Sequence, residues 1–116
     1  MTKQIALKQY AHGQMIGMRS SAVPLRQMIE ETLSVGDEVS IDFSGVEVTQ
    51  SFVDELIGAV ILRRGPHVMS KMILKGCSLT TQGIVRFVVT DRAKQHLTSN
   101  FRAPQPLANR AVALSC

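Results

Sequence analysis

The amino-acid sequence predicts a single small α/β domain: a small mixed β-sheet with an N-terminal hairpin and with parallel strands joined by helix crossovers. Three observations carry this expectation. At 116 residues the chain is long enough to bury one core and too short to divide comfortably into two domains. Hydrophobic residues make up 45% and charged residues 19%, a balance that builds a core and argues against general disorder. Strand-like and helix-like patterns then follow one another in the order hairpin, helix, strand, helix, strand, helix.

Residues 5–10 suit a short strand, and Ala11-His12-Gly13 has the turn residues to fold it back on Gln14-Met15-Ile16. Gly17 breaks the pattern. Ser20 and Ser21 are candidate caps for a helix whose first turn accepts Pro24, and Leu25, Met28, Ile29, Thr32 and Leu33 recur at helical spacing until Gly36-Asp37 stops it. Residues 38–43 alternate, with Val39, Ile41 and Phe43 on one face and Ser40 and Asp42 on the other. After a Ser44-Gly45 turn, Phe52, Leu56, Ala59 and Val60 line one side of a helix that continues to about Arg63, with Asp54 and Glu55 at the positive end of its dipole. Gly65 and Pro66 close that helix, residues 71–77 read as another strand, and Gly76 ends it. Thr80 or Thr81 starts a last helix with Ile84, Val85, Val88, Val89, Ala93 and Leu97 as its apolar stripe. The domain is expected over residues 1–97. Residues 98–116, with Pro104 and Pro106, read as a C-terminal tail, flexible or partner-binding.

Several function classes find no support. The net charge of +4 comes from scattered lysines and arginines, and with one tyrosine and no tryptophan there is little to stack on bases, so nucleic acid is not an expected partner. No apolar run suits a signal peptide or a bilayer span, which points to a cytosolic protein with no membrane partner. Cys77 and Cys116 show no CxxC spacing, and His12, His67 and His96 lie far apart, so neither a disulfide framework nor a metal site follows. No cofactor is expected. A nucleophile elbow and a Walker loop are both missing, which argues against a hydrolase or nucleotidase.

The stretch DFSGVEVTQSFVDELIG, beginning at Asp42, resembles the STAS-like domains of unknown function, with an aspartate-phenylalanine-serine-glycine turn, a serine-phenylalanine step and an acidic pair opening a helix. Gly13, Gly17 and Arg19 before a helix are similar to that family too, and the likeness extends over roughly residues 13–97 in the order of elements. The wider STAS class includes the anti-sigma factor antagonists, in which a serine after the corresponding turn is phosphorylated by a partner kinase. Aligned on Asp42, Ser44 and Gly45, that serine is Ser51, with Thr49 as second candidate. Gln50, Phe52 and Val53 replace the aspartate, second serine and glycine of the antagonists' pattern, so the surface a kinase would meet differs. The resemblance implies a non-enzymatic regulatory protein-protein interaction module. Its partner would be a histidine-kinase-like ATPase or another regulator, and a homodimer stays open.

The residues themselves offer a plainer account of Ser51. Ser51-Phe52-Val53-Asp54 has the form of a capping box, which explains both end residues without any function. A helix start also favours an anion, although Asp54 and Glu55 would repel a phosphate in the same turn. Ser51 therefore reads as helix cap first and phosphoacceptor second. Arg19 could meet an anion or an acidic partner, or else pair with Asp42 or Glu55; Asp42 is expected to accept backbone hydrogen bonds from the Ser44-Gly45 turn. The expected partner- or anion-binding residues are thus Arg19, Asp42, Ser44, Gly45, Gln50, Asp54 and Glu55. The alternative reading is a small-molecule or nucleotide-sensing domain that uses the same helix start.

Overall fold

The structure is a computed structural model that describes residues 1–100. Strands β1 (Thr2–Ala6), β3 (Glu38–Asp42) and β5 (Met72–Lys75) form a parallel sheet with β3 in the middle. A second, two-stranded ladder pairs β2 (Met15–Ile16) with β4 (Glu47–Val48), again parallel. Helix α1 (Arg19–Ser34) leads from β2 to β3. After β4 the chain forms α2 (Gln50–Val53), a π-helical turn at Asp54–Gly58 and α3 (Ala59–Arg64), which together make one continuous helical segment. A 3-10 turn (Pro66–Lys71) leads into β5, and α4 (Leu79–Asn100) follows. The α/β class, the parallel strands and the helical crossovers stand as expected.

Register explains which sheet face is covered. Ile5, Ile41 and Leu74 lie side by side, as do Val39 and Met72, and all five are buried. Because side chains alternate along a strand, Gln4, Ser40 and Ile73 fall on the other face. The core above the first face is completed by Ala22, Leu25 and Ile29 of α1 and by the segment 50–64. That segment has α1 and α4 packed against it. Phe52, Val53, Leu56, Ile57, Val60 and Ile61 are accordingly all inaccessible to solvent, which is the pattern of a buried helix and not of a surface one.

The expected N-terminal hairpin does not form. β1 pairs with β3 and β2 with β4, and an isolated antiparallel bridge between His12 and Met15 is what remains of the turn. The strand also ends sooner than expected, because Leu7–Tyr10 winds into a 3-10 turn. Continued alternation would have turned Gln9 inward with Leu7; the turn instead buries Leu7 completely and leaves Gln9 at the surface.

Helix ends show which local signals act. α1 stops as expected: Gly36 takes φ 83°, the Asp37 amide donates to the Thr32 carbonyl at 3.1 Å and the Gly36 amide to Leu33 at 3.0 Å, a Schellman closure. Its start differs, for Met18 occupies the N-cap without a side-chain bond and Pro24 lies inside the helix, beyond its first turn. α4 begins before Thr80, since the Ser78 hydroxyl oxygen accepts from the Thr81 amide at 3.1 Å. α4 continues to Asn100, past the boundary expected at 97, and residues 101–116 of the expected tail lie outside the described residues.

Close packing of α4 on the π-turn depends on Gly58. A Cβ there would lie 2.7 Å from Asp54 Oδ1 and 2.9 Å from Val88 Cγ1. Helix propensity alone favours alanine over glycine by about 1 kcal/mol, whereas overpacking costs about 1–3 kcal/mol. Gly58→Ala is therefore expected to lower the urea midpoint; a variant as stable as the parent would show that the contact relaxes freely.

Candidate functional site

Two strand-to-helix junctions are held side by side. β2 runs through Gly17 and Met18 into α1, β4 runs through Thr49 into α2, and the parallel β2–β4 ladder sets the two turns next to each other. Thr49 joins them. Its hydroxyl donates to the Gly17 carbonyl at 2.7 Å and accepts from the Phe52 amide at 3.1 Å. A Cβ on Gly17 would come within 3.2 Å of Thr49 Cγ2, so the small residue there permits the approach.

Thr49, and not Ser51, is therefore the N-cap of α2. The capping box read into Ser51 and Asp54 does not form. Ser51 lies in the first helical turn, exposed, and its hydroxyl makes no hydrogen bond among the described residues. Thr49, the second candidate phosphoacceptor, has its hydroxyl engaged both as donor and as acceptor.

Asp54 is turned toward arginines. Arg92 of α4 forks its carboxylate, with Nε on Oδ1 and Nη2 on Oδ2, both at 2.6 Å, and Arg19 Nη1 reaches Oδ2 at 3.0 Å. The Arg92 hydrogen bonds, helped by Arg19 and opposed by partial burial, hold the Asp54 carboxyl below its usual pKa. Arg19 also lies 3.5 Å from Glu55, while its expected alternative partner, Asp42, is not paired with it. From Glu55 the charges continue: Arg26 Nε donates to it at 2.8 Å and Arg26 Nη1 donates to Glu30, which Arg63 reaches at 2.6 Å. An alternating chain of acids and arginines thus ties α4, the π-turn, α1 and α3 together.

An open cleft of about 200 Å³ lies between the start of α2 and the side of α4. Arg19, Gln50, Ser51 and Asp54 line one wall, and Phe87, Asp91 and Arg92 line the other. Phe87 is 56% exposed, less than Leu79, Val35 or Met18 elsewhere on the surface. Asp91 accepts from Gln95 Nε2 at 2.7 Å. The α4 wall was not among the residues expected from the sequence. One signal was available: Arg92 follows Val88 by four positions and Val89 by three, so it interrupts the apolar stripe of its own helix.

Asp42, Ser44 and Gly45 do not line this cleft. They form the turn at the end of β3, where Asp42 Oδ1 accepts the Ser44 amide at 2.9 Å. Hydrogen bonds from the Ser44 hydroxyl and then its amide lower the Asp42 pKa. A Cβ on Gly76 would lie 2.2 Å from Ser44 Oγ and 2.8 Å from Asp42 Oδ1, so the glycine after β5 lets this turn close. Glu55 sits one step behind the cleft, held by Arg26 and Arg19. Among the described residues no group of three or more His, Cys, Asp or Glu could hold a metal ion, and no helix is long and apolar enough to cross a membrane.

A family model described as a STAS-like domain of unknown function matches residues 21–82, slightly more than half of the chain. The matched part includes Gln50, Ser51 and Asp54 but stops short of Arg19 on one side and of Phe87, Asp91 and Arg92 on the other. No curated protein and no solved structure matches.

The capping assignment separates two variants. Thr49→Ala is expected to cost about 1 kcal/mol in urea unfolding, and Ser51→Ala to stay within about 0.5 kcal/mol of the parent; the reverse order would return the cap to Ser51. Asp54→Asn is expected to lose about 1–3 kcal/mol at neutral pH by leaving arginine donors poorly matched. Because the folded-state pKa of Asp54 is lowered, its contribution is present above the unfolded value of about 4 and is lost as pH falls through the folded value. The gap between Asp54→Asn and the parent should close on acidification, and a gap independent of pH would argue against this pairing.

Proposed function

The chain belongs to the family of STAS-like domains of unknown function, and we propose that it is a non-enzymatic regulatory module that binds another protein across the cleft between α2 and α4. We further propose that Ser51 is its phosphoacceptor, served by a partner kinase of the histidine-kinase-like ATPase kind. The observation that carries this reading is the exposed, unengaged Ser51 hydroxyl on the rim of a cleft whose opposite wall presents Phe87 to solvent. An exposed aromatic beside a modifiable hydroxyl offers a partner apolar contact that a charge on Ser51 would disturb. Thr49 is the weaker acceptor because modification would break its bond to Gly17 and the cap on α2.

The electrostatic objection to a phosphate at Ser51 also weakens. Asp54 and Glu55 are paired with Arg92, Arg19 and Arg26, so they act as members of ion pairs and not as a bare acidic turn. In the transfer, Ser51 Oγ would attack the γ-phosphorus of ATP bound to the kinase, ADP would leave, and the hydroxyl proton would pass to a base of the kinase. Small-molecule sensing is less well supported: the cleft, at about 200 Å³, is below the roughly 300–1,000 Å³ of typical ligand pockets.

Incubation with a candidate kinase and ATP, read by intact mass, is expected to add one phosphoryl group to the parent and none to Ser51→Ala. Phe87→Ala is expected to weaken partner binding by about tenfold or more, as loss of a central aromatic contact does. A parent that stays unmodified while binding and releasing its partner normally would sink the switch. Binding indifferent to Phe87→Ala would move the interface elsewhere.

A further inference from the structure

Resting on the reading of Ser51 as phosphoacceptor, we infer that Arg19, and not Arg92, is the side chain that receives the phosphate and holds it on the α1 wall of the cleft. Both arginines line the cleft with Ser51, but their donors are committed differently. Arg92 has Nε and Nη2 on Asp54 and Nη1 on Gln95 at 3.0 Å. Arg19 uses Nη1 alone, its Nε and Nη2 make no hydrogen bond among the described residues, and its side chain is 50% exposed. A phosphate needs several charge-assisted donors from a group that can turn toward it. Arg19 has them in reserve.

The partners left behind decide the matter further. If Arg19 turns to a phosphate, Asp54 keeps the Arg92 fork and Glu55 keeps Arg26 at 2.8 Å, so neither acid is stranded. If Arg92 turned instead, Asp54 would retain one Arg19 contact and α4 would lose its ion pair to the π-turn. Asp91, on the α4 wall, would repel a dianion away from that side, and its contact with the neutral Gln95 amide does not cancel its charge. All the charged groups of the cleft therefore steer the phosphate in one direction: Arg19 attracts it, Asp91 repels it, and Asp54 is neutralised by Arg92. Phosphorylation on this account changes the face offered to a partner while the fold beneath stays assembled.

The test installs phosphoserine at position 51 during synthesis of the full chain and follows its second ionisation by phosphorus NMR. An ordinary phosphoserine titrates at about 6; in the parent the value is expected to lie lower, because Arg19 favours the dianion. Arg19→Gln should raise it to about 6 or above, Arg19→Lys should keep part of the lowering, and Asp91→Asn should lower it further. An Arg19→Gln titration that matches the parent would overturn the assignment, as would a parent value above 6, which would mean that Asp54 and Asp91 prevail. Arg19 is half exposed, so these variants are expected to fold, and circular dichroism checks that they do. Because no kinase is used, failure to find one would sink the proposed function and leave this result standing, whereas a missing shift would remove only the role of Arg19.

Discussion

The carboxylate of Asp54 stands on a helical segment that is otherwise buried on nearly every side, and the position of α4 follows from how that charge is met. Phe52, Val53, Leu56 and Ile57 surround it in sequence and lie in the core, and the acid itself, on the wall of the cleft, is mostly covered. A charge at such a boundary costs stability unless it is paired and hydrogen-bonded, and removing one partner of such a pair costs more than the pair contributes. Arg92 supplies the fork, Gly58 supplies the room for the arginine's helix to come close, and the cleft is the space left above their contact.

From this point the other charges fall into place. Glu55, the next residue, meets Arg26 and Arg19 on the α1 side, and Glu30 passes the alternation on to Arg63. Most of these groups are only partly exposed, so their mutual attraction is screened less than that of ordinary surface pairs. Oppositely charged groups at fixed heights give α1, the π-turn and α4 a preferred alignment.

What could be read from the sequence was what neighbours decide. β3, the glycine stop of α1 and the Asp42–Ser44 turn are set by residues a few positions apart, and each was legible. The cap of α2 was not. Thr49 and Ser51 are both hydroxyls at a helix start, and Thr49 is fixed in that role by the carbonyl of Gly17, 32 residues earlier. Arg92 and Asp54 are 38 residues apart, so only the interruption of an apolar stripe hinted at their meeting. The hairpin failed for a related reason: a turn signal near His12 was genuine, but the longer-range parallel pairing with β3 and β4 claimed both strands. In the candidate site, the α2 wall was therefore anticipated and the α4 wall was not.

The π-turn at Asp54–Gly58 makes the number of residues in the central segment matter as much as their identity. A π-turn holds one residue more than the α-helical turn it replaces, and one residue rotates a helix by about 100°. Losing a single position within Asp54–Gly58 would let the segment wind as an ordinary α-helix with its two ends still aligned, whereas losing one outside the π-turn would rotate the cleft residues of α2 relative to the apolar residues of α3. Ser51 would then face a different neighbour while Val60 and Ile61 kept theirs. A one-residue loss in this helical segment is consequently accommodated at the π-turn itself and is disruptive on either side of it, in Gln50–Val53 or in Ala59–Arg64.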